Sequence, residues 1–275
     1  MLFLLQFEQD VQPLLLYAAP IIFIFVALEY WFLRHDPHHH YDADDLKASV
    51  GIGVGALVIN GLLKALTVGL ILFCYELVPW RIPNTWWAWV LGYLGIDFCN
   101  YLAHYIAHKQ RIWWATHVTH HSSEHLNLST SFRNSWTQHI KIIFFLPVWL
   151  SGIHPVITFM CYQIDLLYQF WLHTEVITKL PRWFEYIFVT PSHHRVHHGK
   201  NDAYLDKNFG TTFILWDRLF GTFQEETERP IYGLTKPVTS NNVVYLNFHE
   251  WRDIVRDVRK AKSWREVTGI LFGPP

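Results

Sequence analysis

The chain has 275 residues; 51% are aliphatic, aromatic or cysteine, only 16% are charged, and the net charge is −1. That balance offers nothing for nucleic acid to bind, and three isolated cysteines, Cys74, Cys99 and Cys161, exclude a disulfide framework or a cysteine-based zinc site. Long uncharged runs and 14 Trp, 13 Tyr and 20 Phe instead fit a membrane protein.

The first run, "PLLLYAAPIIFIFVALEYWFL" (Pro13–Leu33), carries a single charge, Glu29, near its end. At 1.5 Å per residue it reaches about 30 Å, the hydrocarbon thickness of a bilayer. It lacks the basic flank and small-residue cleavage site of a signal peptide, so a retained span is expected. A polar connector follows, "RHDPHHHYDADD" (Arg34–Asp45), whose histidines 38–40 read as a solvated face. The next apolar stretch, from about Leu46 to Val78, exceeds what a perpendicular helix needs; Asn60-Gly61 with Lys64 is where a break or a tilt is expected. A third begins at "TWWAW" (Thr85–Trp89), an aromatic cluster suited to a membrane–water interface, and grows polar towards Lys109.

Residues 109–139 are polar and aromatic. The segment Ile140–Thr174 is apolar again but split by "SGIHP". Its first arm, about a dozen residues, is too short to cross a bilayer, so a hairpin that enters and leaves on one side is expected. From Glu175 onward the chain reads as helices and loops of soluble character, with a charged helix near "EWRDIVRDVRKAKSW". The terminal "GILFGPP" stops abruptly, as a truncated chain would.

Of the 22 Lys and Arg residues, 14 lie after residue 178 and three between 109 and 133, which places those segments in the cytoplasm. The expected fold is therefore an all-α integral membrane protein. It has about three transmembrane helices plus a membrane-inserted helical hairpin, under a cytoplasmic, histidine-rich helical cap. Residues 1–89 form the N-terminal membrane helices, 90–225 a di-metal domain and 226–275 a cytoplasmic helical tail. The host membrane is a bacterial inner membrane or the endoplasmic reticulum.

The spacing of the 18 histidines carries the chemistry. "HYIAH" gives His104 and His108 at i, i+4. "HVTHH" gives His117, His120 and His121, and "HRVHH" repeats that pattern with His194, His197 and His198; His193 lies one helical turn before His197. Residues three and four apart share a helix face, so each cluster points two or three imidazoles into one space. A lone histidine on an apolar helix is usually a satisfied core residue, but two HxxHH clusters and an HxxxH are hard to obtain by chance. Burying eight or nine imidazoles without partners would cost roughly 1–3 kcal/mol each, a cost that a metal removes.

Imidazole suits iron, zinc, copper and nickel. Nine clustered histidines, or ten with His173, exceed the needs of one ion, and two ions sharing them fit the count; a dinuclear centre of redox-active iron is the favoured reading. Two haems would draw ligands from well-separated helices rather than from HxxHH triplets. Asp97 lies seven residues before His104, and Asp165, Gln169 and His173 run i, i+4, i+8, so these side chains are candidates to hold imidazole N–H groups. "HSSEH" (121–125) matches a zinc-peptidase pattern, but His121 already belongs to an HxxHH cluster.

An HxxxH followed by two HxxHH boxes among membrane helices resembles the fatty acid hydroxylase/sterol desaturase superfamily over roughly residues 90–225. "THHSSEHLNLSTSFRNS" (119–135) and "TPSHHRVHHGKNDAYLDKNFGTTFILWDRLFGTF" (190–223) resemble its alkylglycerol monooxygenase branch. That branch hydroxylates glyceryl ethers with non-haem iron, O2 and tetrahydrobiopterin. The resemblance implies that His104, His108, His117, His120, His121, His194, His197 and His198 are catalytic iron ligands, with His173 and His193 as additional ones. Gln169-x3-His173 resembles a further (H/Q)xxxH element. Two features depart from the branch: Lys109 stands where it has an acid, and the chain lacks the extra C-terminal apolar spans of the animal enzymes, as a compact bacterial relative would.

The implied activity is O2-dependent hydroxylation of a membrane lipid by a two-iron monooxygenase. Its electron donor is tetrahydrobiopterin or another external reductant. The alternatives are a lipid or sterol desaturase with the same centre and a non-enzymatic membrane metal- or haem-binding protein.

Overall fold

The computed structural model describes residues 14–36 and 41–275; Pro13 and the histidine triplet at 38–40 lie outside the described residues. Apart from one antiparallel bridge, Phe188 to Phe213, the described secondary structure is helical. Helix α1 (Leu14–Leu33) has 20 residues, and α2 (Ala43–Leu77) has 35. Both are long and apolar enough to cross a membrane. Asp42 starts α2 by accepting the backbone N–H groups of Asp44 and Asp45 at its Oδ1. The helix then runs unbroken through Asn60, Gly61 and Lys64. One glycine costs about 1 kcal/mol in a helix interior, too little to end one of this length.

Helix α3 (Trp86–Lys109) is the third expected span, yet it is not among the helices apolar enough to cross by length and composition. The reason lies in its second half, where Asp97, Asn100, His104 and His108 interrupt the apolar character of the first. Two one-turn helices follow, α4 (Arg111–Trp114) and α5 (Val118–His121). The segment expected to form the hairpin winds as two helical arms. The first joins a 3-10 helix, Gln138–Phe145, to the short α6 (Leu146–Trp149); the second is α7 (Pro155–Phe170). Gly152 makes the turn between them at φ 82°, where a Cβ would come within 2.6 Å of the Trp80 ring.

α3 packs along α7, with Ile96 and Cys99 on one side meeting Val148, Ile153, Ile157 and Cys161 in one buried core. All three cysteines are buried free thiols. Beyond the hairpin come α8 (Arg182–Ile187), α9 (Pro191–His198), α10 (Leu215–Phe220), α11 (Val243–Lys260) and α12 (Trp264–Phe272). The charged C-terminal helix thus ends at Lys260, and Ser263 caps a second helix by accepting the Glu266 N–H.

Two buried charges tie these pieces together. Glu29 of α1 accepts hydrogen bonds from Thr174 Oγ1 (2.6 Å), Tyr41 Oη (2.9 Å) and the Leu128 N–H (2.7 Å). Arg133, 1% exposed, donates to Asp45 (2.6 Å), Ser49 and Ser122, fastening the segment after α5 to the start of α2.

Candidate metal centre

Four short pieces of chain bring nine imidazoles together. α3 contributes His104 and His108 from its last turns, on one face. α5 and the residue before it give His117, His120 and His121; α9 gives His194, His197 and His198; the turn after α7 gives His173. They form two groups. One holds His104, His108, His117, His121 and His197, the other His120, His173, His194 and His198; within each, the candidate ligand atoms all lie within 4.8 Å of one another.

The two HH pairs divide between the groups: His121 and His197 go to the first, His120 and His198 to the second. Successive helix residues point about 100° apart, so one dipeptide can face two centres.

Backbone carbonyls fix the tautomers. His104 Nδ1 donates to the Phe209 carbonyl (2.9 Å), His197 Nδ1 to that of Lys207 (3.0 Å) and His173 Nδ1 to that of Gln169 (2.9 Å). A carbonyl only accepts, so each proton sits on Nδ1 and each Nε2 lone pair is bare. These Nε2 atoms face others. In the first group the chain of contacts is His104–His117 at 2.9 Å, His117–His121 at 3.2 Å and His121–His197 at 3.1 Å. In the second, His120, His173, His194 and His198 close a ring with edges of 3.2, 2.9, 3.1 and 3.1 Å.

No arrangement of one proton per neutral ring satisfies all of these contacts. With Nε2 bare on His104 and His197, protons on His117 and His121 serve the outer contacts and clash at the middle one. In the ring of four, Nε2 is bare on His173, so the protons of His120 and His194 alternate with bare rings and each would have to serve two contacts. A cation at the centre of each group satisfies every lone pair at once. Half the diagonal of a square with such edges is about 2.2 Å, near the metal–imidazole bond length. His108 adds a buried Nε2 with no partner among the described residues. Burial, and then neighbouring imidazoles, hold His117, His120, His121, His194 and His198 well below the ordinary histidine value, so the rings are neutral donors. The residues fit a metal ion in each group.

Other expected site residues lie elsewhere. His193 is outside both groups; its Nδ1 accepts the Thr190 N–H (3.3 Å), the reverse of the tautomer the carbonyls impose on His104. Asp97 accepts from Thr211 Oγ1, the Thr212 N–H and Trp216 Nε1, at 2.7, 2.7 and 2.6 Å. Asp165 bonds Asn100, Gln169 and Thr212. Neither carboxylate is bonded to an imidazole; both hold the chain around residues 211–212. Gln169 meets His173 through its backbone carbonyl, not its amide. Glu124 of the peptidase-like pattern is exposed and outside both groups.

Sequence reasoning missed the segment 206–209. Asp206 Oδ1 lies 3.5 Å from His108 Nδ1, and its Oδ2 pairs with Lys109 Nζ at 2.6 Å. Burial pushes the Asp206 carboxyl up, but His108 and Lys109 outweigh it and hold it at about 2. Asp206 (φ 58°) and Asn208 (φ 55°) are left-handed, a conformation Asp and Asn tolerate; that signal marks a turn, not a site.

A pH dependence follows from the buried rings. Burial pushes His173 and His193 down to about 4. Unfolded, both bind protons below an ordinary value of 6.5, so their stabilisation is complete above that pH and is lost as pH falls towards 4. The melting temperature of metal-stripped protein in detergent is expected to drop by roughly 10 °C from pH 7 to pH 5. An unchanged melting temperature would contradict neutral burial of these rings.

The helical scaffold thus has two helices of membrane length and two nitrogen-only donor groups that could each hold a metal ion. Residues 89–222 match the family model for fatty acid hydroxylases. It is 38% identical to the alkylglycerol monooxygenase of Homo sapiens over 267 residues, covering 94% of this chain and 58% of that protein. It is 47% identical to the Xenopus tropicalis alkylglycerol monooxygenase over 169 residues, 60% of this chain and 37% of the relative. An ornithine lipid hydroxylase of Rhizobium tropici is 29% identical over 136 residues, 49% of this chain and 41% of its own. The chain thus spans between about a third and three fifths of these relatives. No solved structure matches it.

Proposed function

We propose that the protein is a membrane-bound, non-haem, O2-dependent lipid hydroxylase with one iron ion in each histidine group. The observation that carries the reading is the pair of buried all-imidazole groups, five and four rings, whose Nε2 contacts no proton arrangement satisfies. Relatives named as alkylglycerol monooxygenases and an ornithine lipid hydroxylase point to a lipid with a polar head, and a glyceryl ether is the first substrate to test. The overall reaction takes a C–H bond, O2, two electrons and two protons to an alcohol and water. The donor is a reduced pterin or another external two-electron reductant.

Bound iron supplies the redox chemistry that lets O2 enter an unactivated C–H bond. The chain's own residues hold the rings in the Nδ1–H tautomer through the carbonyls of Gln169, Lys207 and Phe209. They also keep most of the site dry: His108, His120, His121, His173, His194, His197 and His198 are buried, whereas His104 and His117 are half-buried. The lipid approaches from the side of those two. Asp97, Asp165 and Gln169 act at one remove, by fixing backbone that carries ring partners; His193 supports α9 rather than metal.

In this reading α1, α2 and α3 cross the bilayer, the hairpin dips into it, and the histidine-bearing segments outside those helices, with the tail, face the cytoplasm. The site then sits at the membrane surface, reached laterally from one leaflet. Purified protein is expected to carry two iron per chain and no haem absorption, and to add one oxygen to a glyceryl ether when O2 and reductant are supplied. Products lacking two hydrogens would favour a desaturase. One zinc per chain without iron would overturn the proposal.

A further inference from the structure

We infer that the two histidine groups hold metal unequally: the five-imidazole group fills first and releases last, because residues 206–209 lock its ligands, and the four-imidazole group exchanges. The inference rests on the reading that each group binds one ion. Three of the five rings in the first group have Nδ1 facing one short segment, residues 206–209: His197 donates to the Lys207 carbonyl, His104 to the Phe209 carbonyl, and His108 lies 3.5 Å from the Asp206 carboxylate. Among the described residues, His173 of the second group has such a partner in the Gln169 carbonyl, while Nδ1 of His120 and of His194 is buried with none. A ring without that bond can rotate about its own axis, so part of the binding energy goes into ordering it.

The locking segment is itself fixed. Asp217 accepts the backbone N–H groups of Phe209 and Gly210 at 2.7 Å each. Asn208 Nδ2 donates to the carbonyls of His193 and Gln224, and its Oδ1 accepts the Gln224 N–H. Lys109 holds Asp206 from the other side. Gly210 permits the close approach, since a Cβ there would lie 2.7 Å from the Phe213 carbonyl oxygen. Ligand number acts in the same direction. Outer partners of metal-bound histidines are worth about 10–100-fold in affinity, so three against one separates the two groups measurably.

The full-length protein in detergent, stripped and titrated with Co²⁺ against a competing chelator, tests this without any turnover. Two equivalents are expected to bind in two steps separated at least about tenfold. Asp206→Ala is expected to weaken the tight step about 10–100-fold and to leave the weak step in place. Asp206→Asn, which keeps the side chain's size, gives the same selectivity and separates the effect from misfolding. His194→Ala removes the weak step alone. Two indistinguishable steps in the parent protein, or an Asp206 variant that weakens the loosely held equivalent, overturns the inference. Fewer than two equivalents in the parent protein overturns the two-metal reading beneath it.

Discussion

On the proposed two-iron hydroxylase reading, changing His198 to alanine is expected to reduce lipid oxygenation at least about a thousandfold, since removing a direct ligand exceeds the 10–100-fold effect of an outer partner. Bound iron should fall from two towards one per chain, because His198 Nε2 touches two members of the four-ring, His120 and His194, at 3.1 Å each. His193→Ala makes the contrast. Its ring accepts the Thr190 N–H at the start of α9 and belongs to neither group, so its loss is expected to cost about 1 kcal/mol of helix capping and to leave metal content intact. Metal analysis and product yield on the two variants check this together; a His193 variant that loses one iron would move that residue into the ligand set.

Arg195→Met carries the next largest effect. The guanidinium sits between two histidines of the box, 5% exposed, and pairs with both Glu226 oxygens at 2.8 and 2.7 Å. Its remaining N–H groups donate to the carbonyls of Thr174, Ile177 and Thr178. Removing it leaves Glu226 facing only Ser192 and strands three carbonyls, which is expected to destabilise the fold by about 3–5 kcal/mol. Thr174 directly follows His173, so iron retention should fall as well. Lysine cannot reproduce a planar five-donor fork and should rescue little. Thermal unfolding of the two variants beside the parent protein measures the effect; a melting temperature within a degree of the parent's would contradict it.

The histidine boxes were legible in the sequence because ligand spacing on a helix is local: a step of four positions from His104 to His108, and steps of three and four within each HxxHH, are read directly from the helical period. The division into five and four was not, since it depends on where α3, α5, α9 and the turn after α7 meet. His193 illustrates the limit. Its spacing to His197 makes it a ligand candidate on any helix, but it stands in the first turn of α9, where the Thr190 N–H needs an acceptor. Carbonyls at Gln169, Lys207 and Phe209 left no trace in residue type, because every residue carries one. The apolar runs announced α1 and α2 by length and composition. They did not announce that the first hairpin arm would wind as a 3-10 helix, nor that α2 would pass through Asn60-Gly61 without a break.

Glu29 changes what the first helix is for. Its carboxylate reaches past the bilayer-length segment to the hydroxyl of Thr174 and the backbone of Leu128, the former next to His173. α1 is therefore latched to the histidine-bearing half of the chain. Trimming the chain to its family-matching segment in search of a water-soluble enzyme would discard that latch and expose the backbone it covers. The apolar N-terminal helix and the histidine-bearing part of this molecule are not separable modules.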